Sequence, residues 1–295
     1  MMSNYNLITA LITPFNKENK IDIPSLFELI DAQLQNNINE FILFGTTGEG
    51  STISLKEKIK TIKFLRKKYK SKIKLIVGIS EASTKKCIEN VEVLSKYKID
   101  AFLVLTPHYL KTNEEGLYLH FISIANASLV PIYIYYIPKR TGQYIGIETI
   151  NKLKNHSKII GIKISASHKF LLECNKLKSY GFKIYSGDDL SLFESMKMKN
   201  DGMISVVSNL YPKTLKKVIK YIDENNENTA TKLFEEFKDI FECLFEEPNP
   251  IPIKYLYSQI HNKELVYRLP LTNPSEVLIR KINSRYKEDK ICELF

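Results

Sequence analysis

Arginine is scarce in this chain. It occurs only at positions 66, 140, 268, 280 and 285, among 43 basic residues. The formal charge of +10 is therefore carried almost wholly by lysine, spread through nearly every predicted helix. A nucleic-acid binder gathers its charge into a patch, commonly with arginine and stacking aromatics. Dispersed lysine predicts instead a solvated surface that aids solubility and draws in anionic substrates, with no nucleic-acid partner. The four cysteines, at 87, 174, 243 and 292, stand far apart, with no C-x-x-C and no metal-ligand spacing. Reduced thiols in a cytoplasmic protein without a metal site are the simplest expectation. No run approaches the ~20 apolar residues of a membrane span. The opening MMSNYNLITALITPF has no basic n-region, so neither a signal peptide nor a membrane partner is expected.

What the 295 residues do contain is short apolar runs alternating with longer amphipathic ones. The runs are LITALIT (7–13), FILFG (41–45), KLIVGIS (74–80), AFLVLT (101–106), PIYIYY (131–136), IIGIKIS (159–165), KIYSG (183–187) and GMISVV (202–207). Runs that do not alternate polar and apolar suit strands covered on both faces, as in parallel sheets. Helical patterns lie between them, for example over 25–37, 54–69 and 84–97. Eight βα units predict an α/β chain closed into a (β/α)8 barrel. An open doubly wound sheet competes, but no G-x-G-x-x-G opens the first helix. After Tyr211-Pro212 the pattern is helical throughout, over 213–224, 228–246, about 252–261 and 274–286. The division expected is a barrel over 1–224 and a C-terminal helical region over 225–295.

In such barrels the chemistry sits where the strands end. The sixth run carries Lys163 near its end, after Ile159, Ile160, Gly161 and Ile162. A lysine closing a strand ordinarily reaches solvent or pairs with a carboxylate such as Asp188. Three features reverse that expectation. Its strand is central, several hydroxyl groups converge on the same mouth, and no acid within IIGIKISAS neutralises it. A desolvated amine is nucleophilic when neutral and forms a Schiff base with a ketone. The protonated imine then serves as the electron sink, so no cofactor is expected. Imine chemistry also needs groups that both give and take protons, and Thr46, Tyr109 and Tyr135 qualify. Tyr135 and Tyr136 are neighbours on one strand, so only one faces the barrel axis. Tyr135 is expected to share the interior with Lys163. GTTGE (45–49) is a strand–loop–helix junction and equally a carboxylate cradle of N–H groups and threonine hydroxyls. Without a following G-K-[ST] it is not a nucleotide loop. Arg140 in PKRTG is the arginine placed to clamp a carboxylate in bidentate fashion.

Together GTTGE, TPHY, YYIPKRTG, GIK, SGDD, GMISVVSN, EEPNPIPIK (246–254) and RLPLT (268–272) resemble, in order and over almost the full chain, the dihydrodipicolinate synthase / N-acetylneuraminate lyase family of Schiff-base aldolases. GTTGE followed by PKRTG favours the synthase branch. The resemblance implies that Lys163 forms an imine with pyruvate and that Tyr135 is the central proton donor and acceptor. It implies that Thr46 and Tyr109 complete a relay, with Tyr109 reaching across a subunit interface of a homotetramer built as a dimer of dimers. Thr46 and Thr47 would hold the pyruvate carboxylate, with Ile204 lining the pocket by its backbone and Gly187 also contacting substrate. Arg140 would receive the carboxylate of L-aspartate 4-semialdehyde. The product would be 4-hydroxy-tetrahydrodipicolinate, the first committed step of the diaminopimelate route to lysine. The alternatives are another pyruvate aldolase, such as a sialic acid lyase, or a scaffold with a decayed site.

Three positions depart from the family pattern. Ile164 replaces an acidic residue after the lysine, Tyr136 replaces an asparagine after the tyrosine, and His108 replaces the first tyrosine of TPYY. The pocket that takes lysine in feedback-inhibited members would correspond to Leu55, Lys58, Ala82, Lys86 and His108. Two lysines there would repel the ligand's ammonium, so weak or absent feedback is expected.

Overall fold

The computed structural model describes residues 5–179, 181–264 and 266–289. Residues 1–4 and Cys292 lie outside them. The eight expected strands are β1 (Asn6–Ala10), β2 (Glu40–Leu43), β3 (Lys74–Ile79), β4 (Ala101–Leu105), β5 (Ile132–Tyr136), β6 (Ile159–Ile164), β7 (Lys183–Ser186) and β8 (Gly202–Ser205). They pair in parallel and in chain order, and β8 closes on β1 through Asn6 to Thr9 against Gly202 to Ser205. The helices are α1 (Ile23–Gln35), α2 (Leu55–Tyr69), α3 (Thr84–Leu94), α4 (Glu114–Ala127), the short α5 (Pro138–Thr141), α6 (Ile147–Leu153), α7 (His168–Asn175), α8 (Leu192–Lys197) and α9 (Pro212–Asp223). Beyond the barrel follow α10 (Glu227–Cys243), α11 (Ile251–His261) and α12 (Glu276–Asp289). No helix among the described residues is long and apolar enough to cross a membrane.

Local chemistry sets the helix starts. Ser54 and Glu57 form a reciprocal capping box at α2. Asp22, Ser83, Asn113 and Ser167 cap α1, α3, α4 and α7 through their side chains. The end of α3 comes earlier than its pattern predicts. Residues 95–97 tighten into a 3-10 turn, and Lys98 at φ 52° reverses the chain.

Strand parity sorts side chains into two layers. On β5 and β6, Ile132, Ile134, Tyr136, Ile162 and Ile164 face the helices and join the large outer core. Tyr133 and Tyr135 face inward with Ile8, Ile42, Leu103, Tyr185 and Ile204, which fill the barrel. That parity resolves two of the family departures. Tyr136 packs against the ring of Phe170, with centroids 4.5 Å apart, and Ile164 is buried beside the same helix layer. Neither side chain faces the barrel interior.

The C-terminal helices are joined to the barrel by aromatic packing and by ions. Phe237 and Phe241 of α10 lie against Tyr211, which precedes α9, with centroids 5.6 and 5.2 Å away. Arg268 grips Glu57 at 2.5 and 3.2 Å and also donates to the carbonyls of Thr52 and Asn19. Lys254 of α11 forms a buried ion pair with Glu49 in the loop after β2.

Candidate active site

Lys163 stands on β6 between Tyr135 of β5 and Tyr185 of β7 in the sheet register. It is only 5% exposed, yet among the described residues it makes no ion pair. Its Nζ lies 4.5 Å from the centre of the Tyr135 ring. The space beside it exists because residue 187 is glycine. A Cβ there would come within 2.7 Å of Lys163 Cε and 2.2 Å of Ser165 Oγ.

These residues open into a cavity of about 530 Å³. Thr46, Thr47, Tyr135, Arg140, Lys163, Ser165, Gly187, Asp188 and Val206 line it, and the stretch 245–249 covers one side. That volume is ordinary for a small-molecule site. A second cavity of about 310 Å³ adjoins it, sharing Thr46, Arg140 and Asn249 and adding Ser80, His108 and Pro270.

Burial of Tyr135 by itself would push its phenol up. The Lys163 charge, hydrogen bonding from Thr46 and Ser165 and the Arg140 charge outweigh that, and the phenol lies below its ordinary value. A phenol so poised exchanges protons more readily than a free tyrosine. At Asp188, burial pushes the carboxyl upward against hydrogen bonds from Leu190 and Ser191. Asp189 is fully buried, and desolvation lifts it to about 6 even though Ser205 and the Val206 N–H donate to it. Asp189 thereby fixes the end of β8 at the mouth.

The loop after β2 is built tightly. Phe44 and Glu49 hold left-handed φ values of 57° and 52°. Gly50 and Gly78 let the Phe44 carbonyl approach their Cα atoms, where a Cβ would stand 1.8 and 2.4 Å from it. Within this loop Thr47 Oγ1 accepts from Asn249 Nδ2 at 2.9 Å, and Gly48 O accepts from Thr13 Oγ1 at 2.7 Å.

Of the residues singled out in the sequence, Lys163, Tyr135, Thr46, Thr47, Arg140 and Gly187 meet in one cavity. Arg140 donates through Nη2 to the Asn249 carbonyl at 3.0 Å, the only hydrogen bond of its side chain among the described residues. The rest of its guanidinium makes no hydrogen bond among the described residues. Two residues lie elsewhere. Ile204 is packed within the barrel, 1% exposed, and the cavity lining on that side passes to Val206. Tyr109 is 90% exposed, because a left-handed φ of 69° turns the chain outward after β4, and it does not join Thr46 and Tyr135 within one chain. His108 lines the smaller cavity, with a buried Nδ1 that has no partner. No cluster of potential metal ligands occurs among the described residues.

The sequence reading missed Ser165 and Asn249. Strand parity could have found Ser165, two residues beyond Lys163 in the same run. Asn249 sits inside the EEPNPIPIK motif but returns to the mouth from 202 residues beyond Thr47, with no local signal of that contact.

The sequence model of the dihydrodipicolinate synthetase family matches residues 3–288. A 4-hydroxy-tetrahydrodipicolinate synthase of Alkaliphilus oremlandii is 35% identical over 283 residues, covering 96% of this chain and 97% of that one. Among solved structures, a chloride-inhibited dihydrodipicolinate synthase of Acinetobacter baumannii complexed with pyruvate superposes with a TM-score of 0.91 at 31% identity, covering 98% and 100%. A monomeric dihydrodipicolinate synthase variant gives a TM-score of 0.92 at 30% identity, covering 97% of each chain.

Proposed function

This chain belongs to the dihydrodipicolinate synthetase family, and on that premise we propose that it condenses pyruvate with L-aspartate 4-semialdehyde to give 4-hydroxy-tetrahydrodipicolinate. It is a Schiff-base lyase of the diaminopimelate route to lysine. The observation that carries this reading is an amine buried without a carboxylate partner, 4.5 Å from a tyrosine ring, in a cavity that also holds an arginine.

Lys163 Nζ attacks C2 of pyruvate, and the carbinolamine loses water to give the imine. Tyr135 moves the protons these steps require, with Thr46 as its hydrogen-bonded neighbour. Thr46 and Thr47 hold the pyruvate carboxylate. Removal of a methyl proton gives the enamine, whose carbon attacks the aldehyde of the second substrate. Arg140 binds that substrate's carboxylate. The substrate amine then displaces Lys163 from the imine carbon, closing the ring and freeing the lysine. The Ile204 backbone and Gly187 complete the substrate-binding set in this proposal.

The relay is proposed to include Tyr109 from a neighbouring copy, in a homotetramer arranged as a dimer of dimers. Support comes from the exposure of Tyr109 together with Leu110 and Tyr144, 63% and 70% exposed, on adjoining loops. Gln143 ties those loops through both the N–H and the carbonyl of Thr112. Sedimentation equilibrium tests the assembly, and a monomer that turns over at full rate refutes the shared relay. A cytoplasmic location, and a C-terminal region over 225–295 that serves the barrel as an appendage, belong to the same proposal. So does weak feedback by lysine. Lys58 is buried at the corresponding position and Lys86 pairs with Glu89 at 2.8 Å. Inhibition by lysine below about millimolar levels would overturn that part.

The deciding assay couples turnover of the two substrates to the next reductase and follows NADPH loss, beside Lys163→Ala. Turnover that the variant lacks supports the reading. If turnover is absent, borohydride trapping of pyruvate on Lys163 separates a wrong aldehyde from a dead site.

A further inference from the structure

The Glu49–Lys254 pair lies outside the cavity chemistry described above, yet it touches the loop on which that chemistry depends. Glu49 is 3% exposed and Lys254 2%. Lys254 Nζ contacts Glu49 Oε1, donates to the Val266 carbonyl at 2.9 Å and lies over the Phe15 and Tyr267 rings at 4.4 and 5.0 Å. Burial of two charges costs several kcal/mol per ion, and apolar replacements often serve stability as well or better. Stability alone is therefore a weak account of why the pair sits here.

Position supplies a better one. Glu49 ends the four-residue turn that begins at Thr46, and its N–H donates to the Thr46 carbonyl at 3.1 Å. It holds a left-handed φ of 52°, and both the N–H and the hydroxyl of Thr52 bond its own carbonyl at 2.9 Å. The turn carries Thr46 beside Tyr135 and Thr47 against Asn249. Five residues before Lys254, Asn249 also receives Arg140. One short C-terminal segment thus grips the turn at Thr47 and at Glu49, and the arginine as well.

We propose that Glu49 and Lys254 are positioning residues: their buried ion pair fixes the Thr46–Glu49 turn so that the Thr46 hydroxyl meets Tyr135 in the geometry proton transfer requires. The inference rests on the Schiff-base reading but not on the identity of the aldehyde.

The test therefore uses the first half-reaction, exchange of pyruvate methyl protons with D2O, followed by NMR. Exchange needs the imine and a proton carrier and no second substrate. Glu49→Gln and Lys254→Met each strand one partner, so both also lose thermal stability. The charge-free double variant Glu49→Gln/Lys254→Met is expected to regain most of the Tm lost by either single variant. Its exchange is expected to stay about 100-fold slow, the scale of a misplacement near 1 Å. Its pH–rate limb belonging to Tyr135, identified as the limb missing from Tyr135→Phe, should move to higher pH as Thr46 withdraws. Glu49→Asp keeps both charges and shortens the link by one methylene; it should fold and exchange more slowly by about tenfold. Wild-type exchange in folded Glu49→Asp, or exchange in the double variant that recovers in step with Tm, overturns the proposal. Exchange in the wild type without turnover on the chosen aldehyde leaves the pair's role readable and removes only the substrate assignment. A wild type that does neither removes both.

Discussion

Lys58, Lys163 and Lys254 are nearly inaccessible among the described residues, and the last two have opposite surroundings. Lys254, beneath the loop after β2, meets a carboxylate, a carbonyl and two aromatic faces. Lys163, at the mouth of the barrel, meets one phenol ring and makes no ion pair among the described residues. Burial of a cation is tolerated where it is fully compensated. The barrel withholds that compensation at Lys163, in keeping with the proposed attack of this amine on a keto group. The same side chain is ion-paired in one place and unpaired in the other, where it is the proposed nucleophile, and only the neighbours differ.

Substitution should separate the two most sharply in activity. Lys163→Met is expected to lower turnover by on the order of 10⁴-fold and to abolish the borohydride-trapped adduct. Its resistance to denaturant should equal or exceed that of the wild type, since a costly buried amine has gone. The mirror experiment, Lys254→Met, should cost about 3–5 kcal/mol in urea unfolding because Glu49 is left buried and unpaired. Equal stability losses at the two sites would break the contrast. A smaller effect follows from the space around the nucleophile. Gly187→Ala places a methyl against Lys163 Cε, and turnover should fall by about 100-fold, with pyruvate trapping slowed to match.

How much of this was legible beforehand depended on distance along the chain. The eight strands stood out because parallel strands covered on both faces appear as unbroken apolar runs. Tyr135 was separable from Tyr136 by parity alone, and the structure places their side chains on opposite faces of β5. The left-handed turn at Tyr109 was not legible in the local residues, because a left-handed tyrosine follows no propensity rule; only the family resemblance implied that this side chain reaches outward. Nor were the contacts of Asn249 and Lys254 with residues more than 200 positions earlier, since nothing in a local window marks them. The Glu57–Arg268 pair escaped for the same reason.

That pair supplies the mildest prediction. Arg268 holds the Glu57 carboxyl down at about 2, from 4.5. The group is depressed in the folded state, so its contribution is present above about pH 4.5 and fades as pH falls through 2. Arg268→Ala should remove that part of the acid sensitivity, measured as a flatter dependence of the urea midpoint on pH between about 4.5 and 2. An unchanged slope would show that the ions joining the C-terminal region to the barrel act independently of pH.

The long reach of the C-terminal segment also bears on how the protein is made. When β8 leaves the ribosome, the lysine, the tyrosine and both threonines have already been synthesised, but the residues that pin the β2 loop and the arginine are still to come. At ~5–20 residues per second, several seconds separate a nascent barrel from a gripped one. A translation product cut short of Asn249 therefore carries every group proposed to act on substrate and none of the contacts through which Asn249 and Lys254 hold the site together.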